Sequence, residues 1–458
     1  LLRYVLRRLL LLPLSLLLLS LLCFGLQQLT PDDAVHRLLP SEDSRMITDD
    51  PAGYDRTYRR AAAALGLDRP AFYVSLENAA LPDTLHRIAR PEERAMLRAL
   101  TLRTGNWPLV ADYHHELRRL AYAPALPDAV KTSARRLLVT DDVHRTLSTL
   151  RTLPPEAVYQ PLANLLPALE EPGSSRLALL LPALRFHGTD NQYHHWLTKV
   201  LIGDFGTSLV DRRPVTGKIW RALRWTALLN GLALLVVFLV SIPLGLYAAG
   251  YRNSWFDRVT TAGLFLLFGV PSFWLATLLT NFFTTPAFGM DFFPSMGFGE
   301  VTADASFFEL LRVRAAHLFL PVMCMAYPSW AYVSRHLRRS AGQEMGQAYV
   351  KTARLKGVSH GRLLWGHVLR NASFPIITLL GGIFPALLAG SVLIERIFNL
   401  PGMGQLLYNA ALASDWPVVV ILVLLNGLLT AVGLLVADLG YALADPRVRL
   451  GGAQKMVV

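Results

Sequence analysis

The sequence predicts an all-α polytopic membrane protein. Three observations carry that prediction: 53% of the 458 residues are hydrophobic, only 17% are charged, and the charges gather between long apolar runs instead of spreading over the chain. About twenty consecutive apolar residues cross a hydrocarbon core, and windows at 9–29, 226–250, 259–283, 315–333, 374–394 and 418–443 satisfy that requirement. Backbone amides in lipid have no water to bond, so each window must satisfy its own as a helix. A net charge of +12 would suggest nucleic acid in a soluble chain. Here the basic residues flank the apolar windows, where they set orientation and meet anionic headgroups, so the implied partner is the lipid membrane and not nucleic acid.

The first window follows Arg3, Arg7 and Arg8 in the manner of a secretory signal. It is longer than a usual signal core and has no small-x-small cleavage site, so residues 1–29 read as a retained first span. Cys23 and Cys324 both fall within apolar windows, as small buried hydrophobes, and no disulfide framework or zinc-type CxxC is present.

Residues 30–225 are far longer than a loop needs to be. Pro91, Glu92 and Glu93 open a helix with an apolar stripe of Met96, Leu97 and Leu100, and Gly105 ends it. Leu109, Val110, Tyr113, Leu117, Leu120 and Ala121 keep helical spacing in a second, and Leu126, Val130, Ala134, Leu137 and Leu138 in a third. Further stretches start near Thr140, Pro155 and Ser174. The expectation is an all-helical extracytoplasmic insertion at 76–188, between the first two membrane helices. The paired histidines His114–His115 and His194–His195 invite a metal reading, but adjacent residues point to different helix faces and no Cys or acidic cluster joins them. No metal or cofactor is expected.

Orientation follows from the short loops. Between Arg335 and Asn371 lie Arg335, Arg338, Arg339, Lys351, Arg354, Lys356, Arg362 and Arg370 against the single acid Glu344, which makes this loop cytoplasmic. The loop after the third window leans acidic and the one after Glu395 is nearly free of Lys and Arg, so both lie outside and both termini are cytoplasmic. The expected division is thus a five-helix core at 226–450 with a cytoplasmic loop at 335–373, and a tail at 451–458.

That basic loop contains AYVKTARLKG at 348–357 and RNASFP at 370–375. Together they resemble the EAA-loop signature of inner-membrane permease subunits of binding-protein-dependent ABC importers, in the dipeptide, oligopeptide and nickel branch. GLDRP at 66–70, GDFGTS at 203–208, IPLG at 242–245, VPSFW at 270–274, ERIFNLPGMGQLL at 395–407 and DLGYALADPRVR at 438–449 follow the same branch in order. The resemblance covers about 1–75 and 190–450. It departs at Lys351 and Thr352, which stand where the general pattern has Glu and its first Ala, and the insertion has no counterpart in the usual pattern.

The resemblance implies six membrane helices of the ABC importer permease type in a bacterial inner membrane, transporting di- or oligopeptides or similar small polar solutes. It implies four kinds of contact: a second, nonidentical permease subunit, two cytoplasmic ATPase subunits, an extracytoplasmic substrate-binding protein, and lipid. The chain has no GxxxxGK[ST] phosphate loop of its own, so it does not bind ATP by that device. The resemblance implies a transport subunit and not an enzyme, with hydrolysis on separate partner subunits. The coupling-loop residues expected to meet the ATPase are Tyr349, Thr352, Ala353, Arg354, Lys356 and Gly357. Gly382, Ala386 and Gly390, at four-residue intervals, make a smooth helix face that either packs tightly or lines the pathway. Asp438 lies close to the polar exit at Asp445 and Arg447 and reads as an interfacial structural pair. GDFGTS reads as a turn, with Gly203 and Gly206 at its bends and Asp204 and Ser208 capping amides, that braces the outer mouth or meets the binding protein. A membrane-anchored enzyme or sensor acting through 76–188 is the competing reading, and no nucleophile, base and oxyanion constellation stands out there.

Overall fold

The computed structural model describes residues 2–28, 35, 51–123, 126–142, 146, 148–149, 156–170, 181–286, 290–299, 304–373 and 391–444. The chain forms two compact units, Leu1–Gln27 with Phe205–Val458, and Gln28–Asp204. Helix α1 (Leu2–Gln28) opens the chain, and its stretch Leu10–Gln28 is long and apolar enough to cross a membrane.

The Gln28–Asp204 unit contains, in order, α2 (Pro51–Leu65), β1 (Val74–Asn78), α3 (Pro91–Thr104), α4 (Trp107–Tyr122), α5 (Asp128–Leu137), α6 (Glu156–Glu170), β2 (Pro182–Phe186) and α7 (Gln192–Leu201). Helix α3 starts with Pro91 in its first turn, where a missing N–H costs nothing, and stops where Gly105 turns left-handed at φ 67°. Asn106 then caps α4 by accepting from the Leu109 N–H. The apolar stripes of these helices are their buried faces: Leu97 and Leu100, Val110, Tyr113, Leu117 and Leu120, and Val130 and Leu137 meet Leu162, Leu166 and Leu169 of α6 in one core.

Glu93 is buried in the first turn of α3 and keeps its charge partnered, with His114 Nε2 at 3.1 Å and Arg118 Nη1 at 3.8 Å. Arg118 also pairs with Asp55 of α2. His114 thus serves a buried ion network, the arrangement that makes an interior carboxylate tolerable.

This unit corrects the all-helical expectation for 76–188. Both ends of that segment are strands, and β1 pairs antiparallel with β2, with Val74 opposite Phe186, Leu76 opposite Leu184 and Asn78 opposite Pro182. Helical periodicity is clear in the middle, whereas VSLEN and PALRF are five-residue runs whose pairing joins residues about a hundred positions apart. The helices α3–α6 therefore leave and rejoin the chain at neighbouring points of a two-stranded ribbon.

The other unit is built on α8 (Val215–Gly250), α9 (Trp255–Phe268), α10 (Ser272–Phe283), α11 (Phe307–Glu344), α12 (Ala348–Leu355), a helical return over 360–372, α13 (Val392–Ile397), α14 (Met403–Leu412) and α15 (Trp416–Ala444). Among the described residues, α8, α11, the Trp416–Val436 part of α15 and the α1 stretch are each long and apolar enough to span a membrane. Helix α8 begins before its apolar window, over Lys218, Arg221 and Arg224. Its 36 residues make a rod of about 54 Å, which overshoots a hydrocarbon core of roughly 30 Å.

The third window is not one straight helix. It breaks into α9 and α10, bent by 93°, and the pair counts as one span only if taken together. The cause lies in Gly269, Val270 and Pro271: proline has no N–H to continue the ladder and pushes the preceding residue out of helical conformation. The carbonyl freed at Val270 accepts a 2.6 Å hydrogen bond from the Tyr327 hydroxyl of α11. The fifth window, 374–394, lies outside the described residues except for its last few positions.

Helices α8 and α11 form the centre of this unit. A Cβ on Gly245 would lie 2.7 Å from the Ser334 carbonyl oxygen, so the glycine of IPLG is what lets the two backbones approach. The Ser334 hydroxyl donates back to the Ser241 carbonyl at 3.2 Å, and Leu229, Ala233, Val237, Ala326, Val333 and Leu337 share the surrounding core.

Candidate functional site

The basic loop folds as a short helix lying on a packed base. Helix α12 begins after Gln347 and ends at Lys356, where Gly357 takes φ 79° and the Val358 N–H reaches back to the Ala353 carbonyl at 3.2 Å. A side chain at Gly357 would meet nothing within 4 Å, so the backbone conformation, and not lack of room, selects glycine.

Val350 and Ala353, one helical turn apart, are buried in the core that also holds Leu363, Leu364, Val368 and Ala372 of the return segment. Ala353 thus faces the chain's own interior. Tyr349 is partly exposed and donates its hydroxyl to Glu344 Oε2 at 2.6 Å; burial, together with that carboxylate, raises its phenol above the usual range. Lys351, Thr352, Arg354, Lys356 and Gly357 are exposed. Between them Leu355 is 88% exposed, the most solvent-facing large apolar side chain of the loop. Sequence reasoning passed over Leu355, although its phase, five residues after the buried Val350, puts it on the opposite face of the helix.

The return segment carries α12 onto the end of α8. A Cβ on Gly250 would lie 2.8 Å from Leu364 Cδ1, and the Trp365 indole donates to the Tyr247 hydroxyl at 3.3 Å. Residues Leu363–Val368 run as a π-helical stretch, a local widening that often marks functional positions. The return segment thus packs α12 against α8, and Ala341 of α11 lies in the same core.

Two polar knots brace the same unit at 205–226 and 391–416. The first centres on Ser208 of GDFGTS, which donates to Asp415 Oδ2 at 2.5 Å while receiving Lys218 Nζ at 2.8 Å; the Leu209 N–H adds a bond to Asp415 Oδ1 at 2.9 Å. Lys218 also pairs with Asp211 at 2.8 Å. Slight burial works against the Asp211 charge, but the Lys218 and Ser208 side chains and the Arg213 N–H outweigh it and hold this carboxyl at about 2. Gly203 and Gly206 take φ 84° and 73°, the turns expected of the motif.

The second knot belongs to ERIFNLPGMGQLL. Glu395 is fully buried, and its carboxylate accepts from the Gln405 N–H at 2.8 Å and the Thr226 hydroxyl at 3.2 Å. Thr226 in turn accepts from the Met403 N–H at 2.8 Å. The side chain thereby caps the start of α14. A Cβ on Gly402 would lie 2.5 Å from Glu395 Oε1, and one on Gly404 would lie 2.9 Å from Oε2, so both glycines make room for the carboxylate. Burial raises the Glu395 carboxyl above its ordinary range, against the pull of the Gln405 and Gly404 amides and the Thr226 hydroxyl.

The remaining predicted positions, Gly382, Ala386 and Gly390, lie outside the described residues. So do Asp445 and Arg447.

Residues 241–450, from the IPLG crossing through α12 and the Glu395 knot, match the family described as "Binding-protein-dependent transport system inner membrane component". The chain is 34% identical over 258 residues to the oligopeptide transport system permease protein AppB of Bacillus subtilis (strain 168), covering 56% of this chain and 79% of that protein. The chain belongs to this family of importer permeases. A putative peptide transport system permease protein of Brucella abortus (strain 2308) is 38% identical over 258 residues, and the glutathione transport system permease protein GsiC of Salmonella typhi 34% over 258 residues, each alignment covering 56% of this permease and 79% of the relative. The permease is a multi-pass inner-membrane transport subunit of the peptide and oligopeptide branch and not an enzyme. Helix α12 and both knots' acids, Glu395 and Asp415, fall inside the family match; Ser208, Lys218 and Thr226 lie before it.

Proposed function

We propose that this permease forms half of the translocation pathway for di- or oligopeptides, or small polar solutes of similar size, and that α12 is the knob gripped by an ATPase subunit. One observation carries the proposal: α12 turns Val350 and Ala353 inward and presents Leu355 in a ring of Lys351, Arg354 and Lys356. An exposed apolar anchor rimmed by charge, on a rigid base, fits a groove of a partner and passes on its movement. The contact surface is then Tyr349, Thr352, Arg354, Leu355, Lys356 and the turn at Gly357, with Ala353 beneath it as support. Because Lys351 and Thr352 replace the acidic and small residues of the general pattern, the facing groove is acidic or neutral.

The peptide assignment is supported by relatives named for oligopeptide, peptide and glutathione transport. The basic loop supports an orientation with α12 and both termini in the cytoplasm and the Gln28–Asp204 unit outside. The full count is six spans, with the fifth, over 374–394, presenting Gly382, Ala386 and Gly390 to the pathway. A second, nonidentical permease completes the pathway, two ATPase subunits drive it, and a binding protein delivers the solute. The helical insertion then docks or gates that binding protein; a purely stabilising role is the alternative, and transport unchanged in rate and affinity without it would favour that alternative.

Leu355→Asp tests the docking assignment. It should lower copurification of the ATPase subunits at least about tenfold, the scale set by losing a buried apolar anchor and stranding a charge, while the permease pair still assembles. Stoichiometric ATPase binding by that variant would sink the assignment. ATP-dependent uptake of peptides, nickel complexes and sugars, measured side by side in proteoliposomes, decides the substrate class.

A further inference from the structure

A cavity of about 1010 Å³ opens between α8, α9 and α11. Its lining is divided by polarity. Arg258 of α9 and Arg335 and Arg339 of α11 occupy one end, and Leu264, Phe265 and Phe268 of α9 the other. The division follows from helical spacing, since Arg258, Thr261, Phe265 and Phe268 share one face of α9, and Tyr332, Arg335 and Arg339 one face of α11.

The charge at the basic end is not consumed within the fold. The lining holds one carboxylate among the described residues, Asp257, and Arg338 engages it on both oxygens, at 2.6 and 2.8 Å, with the Asn253 N–H adding a third bond at 3.0 Å. Arg258, Arg335 and Arg339 make no ion pair among the described residues. At the other end, Phe265 is 70% and Phe268 58% exposed. The fit to lipid is also one of length: from Arg258 to Phe268 the helix rises about 15 Å, half of a hydrocarbon core of roughly 30 Å. A headgroup at the arginines would thus lay an acyl chain along the phenylalanines to about the depth of the bilayer midplane, where α9 bends into α10.

We propose that this cavity binds an anionic phospholipid of the bilayer, with its phosphate among Arg258, Arg335 and Arg339 and an acyl chain against Leu264, Phe265 and Phe268. Guanidinium forks suit phosphate oxygens, and three of them select a net negative lipid over a zwitterionic one. The bound lipid fills the gap beside the α8–α11 crossing and wedges α9 at the level of the Asp257–Arg338 pair. The proposal rests on the chain being a membrane permease, but not on which side of the membrane α12 faces.

The test uses the complete transporter, with its partner subunits, in nanodiscs carrying the same lipids in both leaflets. These are phosphatidylcholine with a minor fraction of photoactivatable phosphatidylglycerol. Labelling should map to peptides of α9 and the second half of α11, and excess unlabelled phosphatidylglycerol should compete while phosphatidylcholine and inorganic phosphate do not. The R258Q/R335Q/R339Q variant should lose labelling at least about tenfold, and R258K/R335K/R339K should keep most of it. Equal labelling by a phosphatidylcholine probe, displacement by inorganic phosphate, or no labelling in the assembled transporter because a second permease covers the cavity would each overturn the proposal. If the glutamine variant does not assemble, competition on the unaltered protein decides.

Discussion

Helix α12 and the Glu395 knot use the same residue types to opposite ends. Around α12 the charges point outward and the interior beneath is apolar; around α14 a single carboxylate points inward and the backbone closes over it. Each region depends on glycine, for different reasons. Gly357 supplies a left-handed turn with open space beside it, whereas Gly402 and Gly404 supply room, because a methyl group on either would strike the Glu395 carboxylate. The first kind of glycine sets where a helix stops, and the second sets what can be buried. The outward region thereby leaves a charged surface exposed, and the inward one holds two elements together.

The largest effect expected from breaking this contrast is Gly402→Ala combined with Gly404→Ala. Overpacking at a closed site costs about 1–3 kcal/mol per residue, so the pair should prevent stable purification or lower thermal stability sharply in detergent. Glu395→Gln comes next. It keeps the volume and an oxygen for the Gln405 N–H, but puts an NH2 where an oxygen accepts from the Thr226 hydroxyl, which already receives the Met403 N–H, at a cost of about 1–3 kcal/mol.

That variant also has a pH signature. The folded carboxyl is raised by burial, so the fold binds its proton more tightly than the unfolded chain does. Its contribution is complete below the ordinary carboxylate range and is lost as pH rises through the raised value. Glu395→Gln should flatten this part of the stability profile, and an unaltered slope would show that the knot carries no titrating charge.

Gly357→Ala should act more weakly. A left-handed non-glycine residue costs about 1–2 kcal/mol, with no collision to add, so the permease should fold while ATPase copurification declines through a displaced helix end. Lys351→Ala should be smallest: an exposed charge contributes at most about 1 kcal/mol, visible as a weaker salt dependence of ATPase binding and not as a loss of assembly. A reversal of these last two, with Lys351 dominating, would mean that the knob works by charge and not by its fixed shape.

Much of the membrane unit was legible because apolar runs need no partner to be recognised. The first, second, fourth and sixth windows coincide with long apolar helices, although α8 and α11 begin earlier, over polar residues that a hydropathy average leaves out. The 93° break was written in Val270 and Pro271 but was averaged away in the same fashion. Long-range pairing was not legible. Glu395 meets Thr226 across 169 positions, Ser208 meets Asp415 across 207, and β1 meets β2 across the helical segment between them. At α12 the motif could not distinguish Ala353, which is buried, from Leu355, which protrudes; that distinction needs the helix phase fixed by the burial of Val350.

The ribbon between Val74 and Phe186 has a further consequence. Because Asn78 and Pro182 sit side by side, the segment between them could be replaced by a tight turn as far as the ribbon is concerned, but Arg118 within it also pairs with Asp55 of α2, and Ala89 packs on Tyr54 and Tyr58. The segment is thus keyed to α2 as well as to the ribbon, and a shortened chain that kept the hairpin would also need a new partner for the Asp55 carboxylate.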